Sequence, residues 1–389
     1  MQTLYSAVLN NNRHDVQLLI AEPDINVNAA NTDGSTPLYI AAEIGHKEII
    51  QLLLAVPGIN VNAAMIHGAT PLYIAAQNGH KEIVQLLLAI PEINVNAAMN
   101  DGSPPLCNAA YQGHKEIVQL LLAVPGINVN AAKNNGATPL FIAAENGHKE
   151  IVQLLLAVAE INVNAAMNDD ATPLYIAVQK GHKEIVQLLL SVAGININVT
   201  RPDGTTPLYV AAERGHKEIV QLLLSVAGIN INVTRPGGTT PLYVAAERGH
   251  KEIVQLLLSV PGININATRT DGSTPLFIAS QNGHKEIVLL LLAVAGINVN
   301  AATNNGATPL YIAAERGHKE IVQLLVELGG DTSLISYGGK SVWDYAKESR
   351  FNERINELIL EYRYISDEPL TCEEVCEMIL WKKVKCYGK

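Results

Sequence analysis

The chain has 389 residues, 48% of them apolar but only 5% aromatic and 16% charged, with a net charge of −10. That acidic balance excludes a general nucleic-acid binder, which needs a basic face, and no run approaches the ~18 consecutive apolar residues that span a membrane. Four cysteines, Cys107, Cys372, Cys376 and Cys386, are too few and too clustered for a disulfide framework and point to a reducing compartment. Met1 to Asp15 carries neither a basic n-region nor an apolar h-region, so a cytoplasmic location is expected. The sequons at Asn198, Asn232 and Asn266 then read as by-products of repetition.

In chain order, residues 1–30 contain Leu4-Tyr5-Ser6-Ala7, which aligns 34 residues ahead of Leu38-Tyr39-Ile40-Ala41, with Asn11 where Gly45 stands. Asparagine tolerates the left-handed backbone that glycine favours, and this segment reads as an N-terminal capping unit. Residues 31–332 follow as nine units of 34 residues. Their threonine position falls at Thr36, Thr70, Pro104, Thr138, Thr172, Thr206, Thr240, Thr274 and Thr308, and a Gly-His pair follows each. A fixed period of this size marks a stacked array, in which each unit contacts its neighbours.

The unit between Asn60 and Ala89 shows the logic. Thr70 caps a helix and Pro71 occupies its first turn. Gly79 ends that helix by entering the left-handed region, and His80 opens a second helix whose Ile83, Leu86 and Leu87 form an apolar stripe. An extended Ile93-Asn94-Val95-Asn96 and a turn at Asn100-Asp101-Gly102 follow. Helices of about eight residues fall below the ~12–15 needed for marginal stability alone, so stacking must hold them.

The residues Thr-Pro-Leu, Ala-Ala, Gly-His, Ile-Val-x-Leu-Leu and Val-Asn-Ala resemble the ankyrin repeat. The resemblance implies an all-α repeat solenoid of helix–turn–helix units with hairpin-like loops, and a partner protein docked on the concave face of loop tips and first helices. It also implies that the Val-Asn asparagines (Asn62, Asn96, Asn130) are positions open to asparaginyl hydroxylation, beside their structural task of tying the loop. Ankyrin units usually run 33 residues; here one residue is added between second helix and loop, as in Ala55 to Asn60. The family's histidine after Thr-Pro-Leu is replaced by Tyr39, Tyr73, Tyr175, Tyr209, Tyr243, Tyr311, Phe141 and Phe277, rings expected to form an internal ladder.

Nine histidines at one repeat position are expected to cap second helices rather than to catalyse. Neither a Ser-His-Asp set, a phosphate loop nor a His-Glu-x-x-His motif occurs. No catalytic, cofactor or metal residues are assigned, and the protein is read as a non-enzyme.

Function is sought where the repeat varies. The third unit, Ser103-Pro104-Pro105-Leu106-Cys107-Asn108, loses its cap and its ring. It is either a tolerated lesion or a recess shaped by Cys107 and Asn108 for a partner. Loop tips change from Met65-Ile66-His67 to Arg201-Pro202, Arg235-Pro236 and Arg269-Thr270, while Arg214, Arg248 and Arg316 appear on first helices. These make two basic rows on an acidic molecule, suited to an acidic partner segment. A solvated face multiplied by duplication is the competing reading, since residues 193–226 and 227–260 differ only at Asp203 and Gly237.

Lys340 to Ala346 reads as a degraded repeat, making 333–363 a C-terminal capping unit. In 364–389, Thr371 and Glu374 form a capping box ahead of Val375, Met378, Ile379 and Trp381. That helix is expected to pack on the last repeat. Cys372 and Cys376 share one of its faces, and the zinc alternative lacks a fourth ligand. A faint likeness to an F-box-like opening leaves an adaptor to ubiquitin-ligase machinery, or a translocated effector of an intracellular bacterium, as alternatives. The leading expectation is a monomeric, non-catalytic scaffold that binds another protein, without nucleic acid, membrane or cofactor.

Overall fold

A computed structural model describes residues 3–333 and residue 339. The expectations for Lys340 to Ala346, for the tail 364–389 and for Cys372, Cys376 and Cys386 lie outside the described residues. The chain divides into two compact units at Val199/Thr200, each considered by itself. All regular elements among the described residues are helices. Within each unit they come in pairs, first helix packing on the next first helix and second on second.

First helices form as the sequence dictates. Thr70 Oγ1 accepts a hydrogen bond from Tyr73 N (3.2 Å) ahead of Pro71–Gln77, and seven other threonines do the same. Only Pro104 gives its helix, Pro105–Gln112, no side-chain cap, a loss of about 1 kcal/mol. Asn11 sits at φ +53 in place of glycine, and Asp170 at φ +61 where other loop tips carry glycine. Leu72, Leu87 and Ile83 are almost fully buried between layers.

The histidines depart from expectation. His80 stands at the start of Lys81–Leu88 but makes no cap bond with its own helix. Its Nε2 lies 3.0 Å from the carbonyl of Glu43, 37 residues earlier. A carbonyl can only accept, so Nε2 carries the hydrogen. His114, His148 and His182 repeat the bond in the first unit, and His250, His284 and His318 in the second. Each ring thus satisfies a carbonyl at the end of the preceding repeat's first helix, a group with no intrahelical partner. The ring also lies on a glycine: a Cβ at Gly79 would sit 2.9 Å from His114 Cε1. His46, at the N-terminal end of this series, keeps a buried Nε2 with no partner.

The stretch 93–96 is a turn rather than a strand, closed by Ala97 N to Asn94 O (3.3 Å) and Asn96 N to Asn94 Oδ1 (3.1 Å). The asparagine of Val-Asn-Ala clamps the next repeat twice. Asn62 Oδ1 accepts from Asn94 N (2.8 Å), and Nδ2 donates to Glu92 O (2.8 Å). Asn28, Asn96, Asn130 and Asn164 repeat both bonds in the first unit, and Asn232, Asn266 and Asn300 in the second.

The thirty-fourth residue has a physical place. Lys47–Leu54 exits through Ala55 in right-handed conformation (φ −80°, ψ −10°) and two consecutive turns, Val56 N to Leu53 O (3.1 Å) and Ile59 N to Val56 O (3.3 Å). The last second helix among the described residues, Lys319–Glu327, instead stops on Gly329 at φ +92, with Gly329 N to Val326 O (3.4 Å) and Gly330 N to Leu325 O (2.7 Å). This is the Schellman ending. It brings Asp331 to the clamp 33 residues after Asn298, where Asn298 itself comes 34 after Asn264. The extra residue therefore belongs to the two-turn exit that replaces a glycine stop.

Two outcomes follow. Gly58 and Gly79 share nearly the same φ (+82 and +80), but nothing lies within 4 Å of a Cβ at Gly58. Both Ala substitutions carry a backbone strain of about 1 kcal/mol, and Gly79→Ala is expected to lower the urea midpoint further, the excess disappearing in a His114→Ala background. In the same assay His80→Leu should destabilise by about 1 kcal/mol, whereas His46→Leu should be neutral or stabilising, because it removes an orphaned buried polar atom.

Candidate protein-binding surface

The rings that follow Thr-Pro-Leu are buried, Tyr73 at 6% exposure and Tyr243 at 1%. Two of their hydroxyls reach the repeat 30 residues on: Tyr209 OH lies 3.3 Å from Thr239 Oγ1, and Tyr243 OH 3.0 Å from Ser273 Oγ, whereas Tyr39 is followed at that offset by Ala69. Phe141 and Phe277, lacking a hydroxyl, are followed at that offset by Ala171 and Ala307. Desolvation raises the Tyr243 pKa, opposed by its bonds to Ser273 and Arg269.

The tip arginines build on this layer. In the first unit successive tips are joined by backbone bonds, Ile66 N to Asp33 O (3.0 Å), Asn100 N to His67 O (2.9 Å) and Asn134 N to Asp101 O (2.8 Å). Pro236 has no N–H to continue such a series, and Arg235 Nε donates to the waiting Asp203 carbonyl instead (3.3 Å). The same guanidinium stacks over the Tyr209 ring at 5.3 Å and lies 3.8 Å from the Asp203 carboxylate. The next joint differs: Gly237 stands where Asp203 stood, Thr270 N regains the backbone bond to Gly237 O (2.9 Å), and Arg269 turns to Tyr243 OH (3.4 Å) and to Asp271 of its own loop (3.6 Å). Arg235 and Arg269 are thus half-buried joints between repeats. Arg201 begins the same loop geometry, its N–H bonded to Thr205 O (3.0 Å).

The helix-end arginines differ. Arg214 and Arg248 close Pro207–Arg214 and Pro241–Arg248, where a cation suits the dipole, and Arg316 follows Pro309–Glu315. All three are exposed. Arg248 lies 4.0 Å from Glu213, itself 25% exposed, whereas the guanidinium groups of Arg214 and Arg316 make no hydrogen bond or ion pair among the described residues. Glu213, Arg214, Arg248 and His250 line an open groove of about 460 Å³.

In the first unit Ile66 is 62% exposed at a tip and Met65 is half-buried beside it. Cys107 occupies the ring position with no exposed surface; its Sγ donates to Ala131 O (3.4 Å), and burial pushes the thiol up to about 12. Asn108 is half-buried and donates to Gln77 Oε1 (2.8 Å). The residue that sequence reasoning missed is Tyr111, 55% exposed. It stands where the other units carry Glu or Gln (Gln77, Glu145, Glu213), and that lone aromatic was a readable signal. Exposed tyrosines are favoured anchors in interfaces.

Helix pairs stacked like on like, clamped at fixed offsets, define a helical repeat solenoid. A family model for ankyrin repeats, three copies long, matches residues 4–99, 90–165, 106–201, 174–269 and 261–336. The chain belongs to the ankyrin-repeat family. A comparison with curated proteins finds no match. Ankyrin repeats are in general protein–protein interaction modules and typically non-catalytic scaffolds. Among the described residues no helix is long and apolar enough to cross a membrane.

The two arginine rows should separate in a stability assay. Arg235→Ala is expected to cost about 1 kcal/mol, from a lost hydrogen bond and ring contact, while Arg214→Ala stays within about 0.5 kcal/mol; chemical unfolding of each variant reads the difference.

Proposed function

We propose that this protein is a non-catalytic scaffold that binds an acidic segment of a partner protein along the first-helix ends of residues 200–333. The observation that carries the reading is the set of exposed guanidinium groups at Arg214, Arg248 and Arg316 on a chain of net charge −10. Arginine offers a planar fork of donors to carboxylates; Arg214 and Arg316 have no ion pair among the described residues to lose on binding, while Arg248 would share its charge with Glu213. Arg235 and Arg269 flank the same face with guanidinium groups already engaged in holding loops, and Arg201 stands at the equivalent loop position, so the three contribute field more than direct contacts. Met65, Ile66, Asn108 and Tyr111 give the first unit an apolar and aromatic surface of its own, and Cys107 supports it from beneath.

The test is capture of partner proteins from cell lysate by the immobilised full chain. Replacing Arg214, Arg248 and Arg316 together with Glu is expected to reduce capture at least tenfold with little change in unfolding midpoint. Retained binding should weaken as salt shortens the screening length to a few ångströms. Charge reversal at Arg201, Arg235 and Arg269 should instead lower capture and stability together. Unchanged capture by the helix-end variant would sink the proposal.

A further inference from the structure

We infer that the acidic segment lies along the helix-end row as a polyproline II strand whose carboxylates fall three residues apart; this rests on the acidic-partner reading above. Arg214, Arg248, Asn282 and Arg316 occupy one position in four successive repeats. Arg248 reaches Glu213 of the neighbouring helix at 4.0 Å, so adjacent helix ends stand within side-chain reach. Packed helices lie about 8–10 Å apart, which sets the spacing of cations along the row.

Each regular conformation of a bound chain meets that spacing differently. A β-strand covers about 10 Å in three residues, but its side chains alternate, so the first and fourth point to opposite faces. An α-helix returns to one face after seven residues, about 10.5 Å. Its body is about 10–12 Å across, wide enough to cover the parallel row of Glu213, Glu247 and Glu315, one residue before each arginine. Carboxylates above a carboxylate row repel. A polyproline II strand advances about 3.1 Å per residue with three residues per turn. Every third side chain therefore faces the same way, at a step of about 9 Å. It needs no sheet edge and no hydrogen bonds from the receptor, and it is slim enough to remain over the arginines.

The row also carries an address. At the third place Asn282 uses its Nδ2 to cap Glu247 O (2.9 Å) and offers no charge. A matching segment has carboxylates at its first, fourth and tenth residues, or first, seventh and tenth when it runs the other way, with an uncharged residue at the remaining site. Glu213 and Arg248 line the groove at the closely spaced end, where the second carboxylate would share Arg248 with Glu213.

Fluorescein-labelled, proline-rich dodecapeptides test this by fluorescence anisotropy against the full chain. One peptide of each polarity carries three aspartates in register. A third has the same composition with aspartates at positions one, three and eight, and a helical peptide carries aspartates at seven-residue intervals. One in-register peptide is expected to bind about tenfold more tightly than the out-of-register peptide, and Arg248→Glu should remove that preference. Equal binding by all acidic peptides, or tightest binding by the helical one, would overturn the inference while leaving the acidic-partner reading intact. Absence of binding by every peptide also overturns it, and the acidic-partner reading falls as well only if capture of natural partners ignores reversal at Arg214, Arg248 and Arg316.

Discussion

Backbone groups at the ends of short helices dominate this structure, because helices of six to nine residues leave about half or more of their backbone polar groups without an intrahelical partner. Part of the N-terminal set is capped by threonine within the repeat, and other backbone groups are satisfied across the repeat boundary. Histidine Nε2 takes a carbonyl at the end of the preceding first helix, and asparagine takes one carbonyl and one N–H in the following loop. Both are single side chains bridging repeats, so a repeat cannot be polar-satisfied by itself. Apolar burial between layers supplies the bulk of the stability, while these bonds fix the distance and angle at which layers meet. The glycine before each histidine follows from the same contact, since the imidazole needs the volume that a Cβ would fill.

How far the sequence could be read depends on the range of each interaction. Thr70 with Pro71, and Asn11 in a left-handed turn, act within four residues and are visible in any window of that size. The role of His80 is not, because its partner is a main-chain carbonyl 37 residues away that no side chain advertises. Position at a helix start suggested a cap; reach across the layer made it a bridge. The tyrosine hydroxyl bonds lie between these extremes. Tyr209 with Thr239 and Tyr243 with Ser273, against Phe141 with Ala171, form a pattern at a 30-residue offset that the sequence displays to anyone who compares repeats at that offset, with Tyr39 and Ala69 as its exception.

The candidate site was legible in part for a related reason. All six arginines stand out as departures from the repeat, and sequence alone gives the two rows equal weight. Only the missing N–H of Pro236 and the freed carbonyl of Asp203 show why an arginine precedes proline there. The same substitution pattern can thus arise from repair of a backbone ladder or from selection for a surface. Arg214 and Arg316, which repair nothing, are the ones left to explain.

The two-turn exit of the 34-residue repeats has a consequence for how such a chain can change length. Cross-repeat bonds at offsets of 30, 32 and 37 residues connect positions that recur in every interior repeat. Adding or removing a whole repeat therefore regenerates each bond with new partners of the same kind. The repeat with the glycine stop meets Asn300 at offsets of 29 and 31, and the buried Nε2 of His46 has no partner. Neither of these two repeats is interchangeable with those between them. The repeats between them are free to multiply by copying from within, and the near-identical stretches 193–226 and 227–260 lie in that interval.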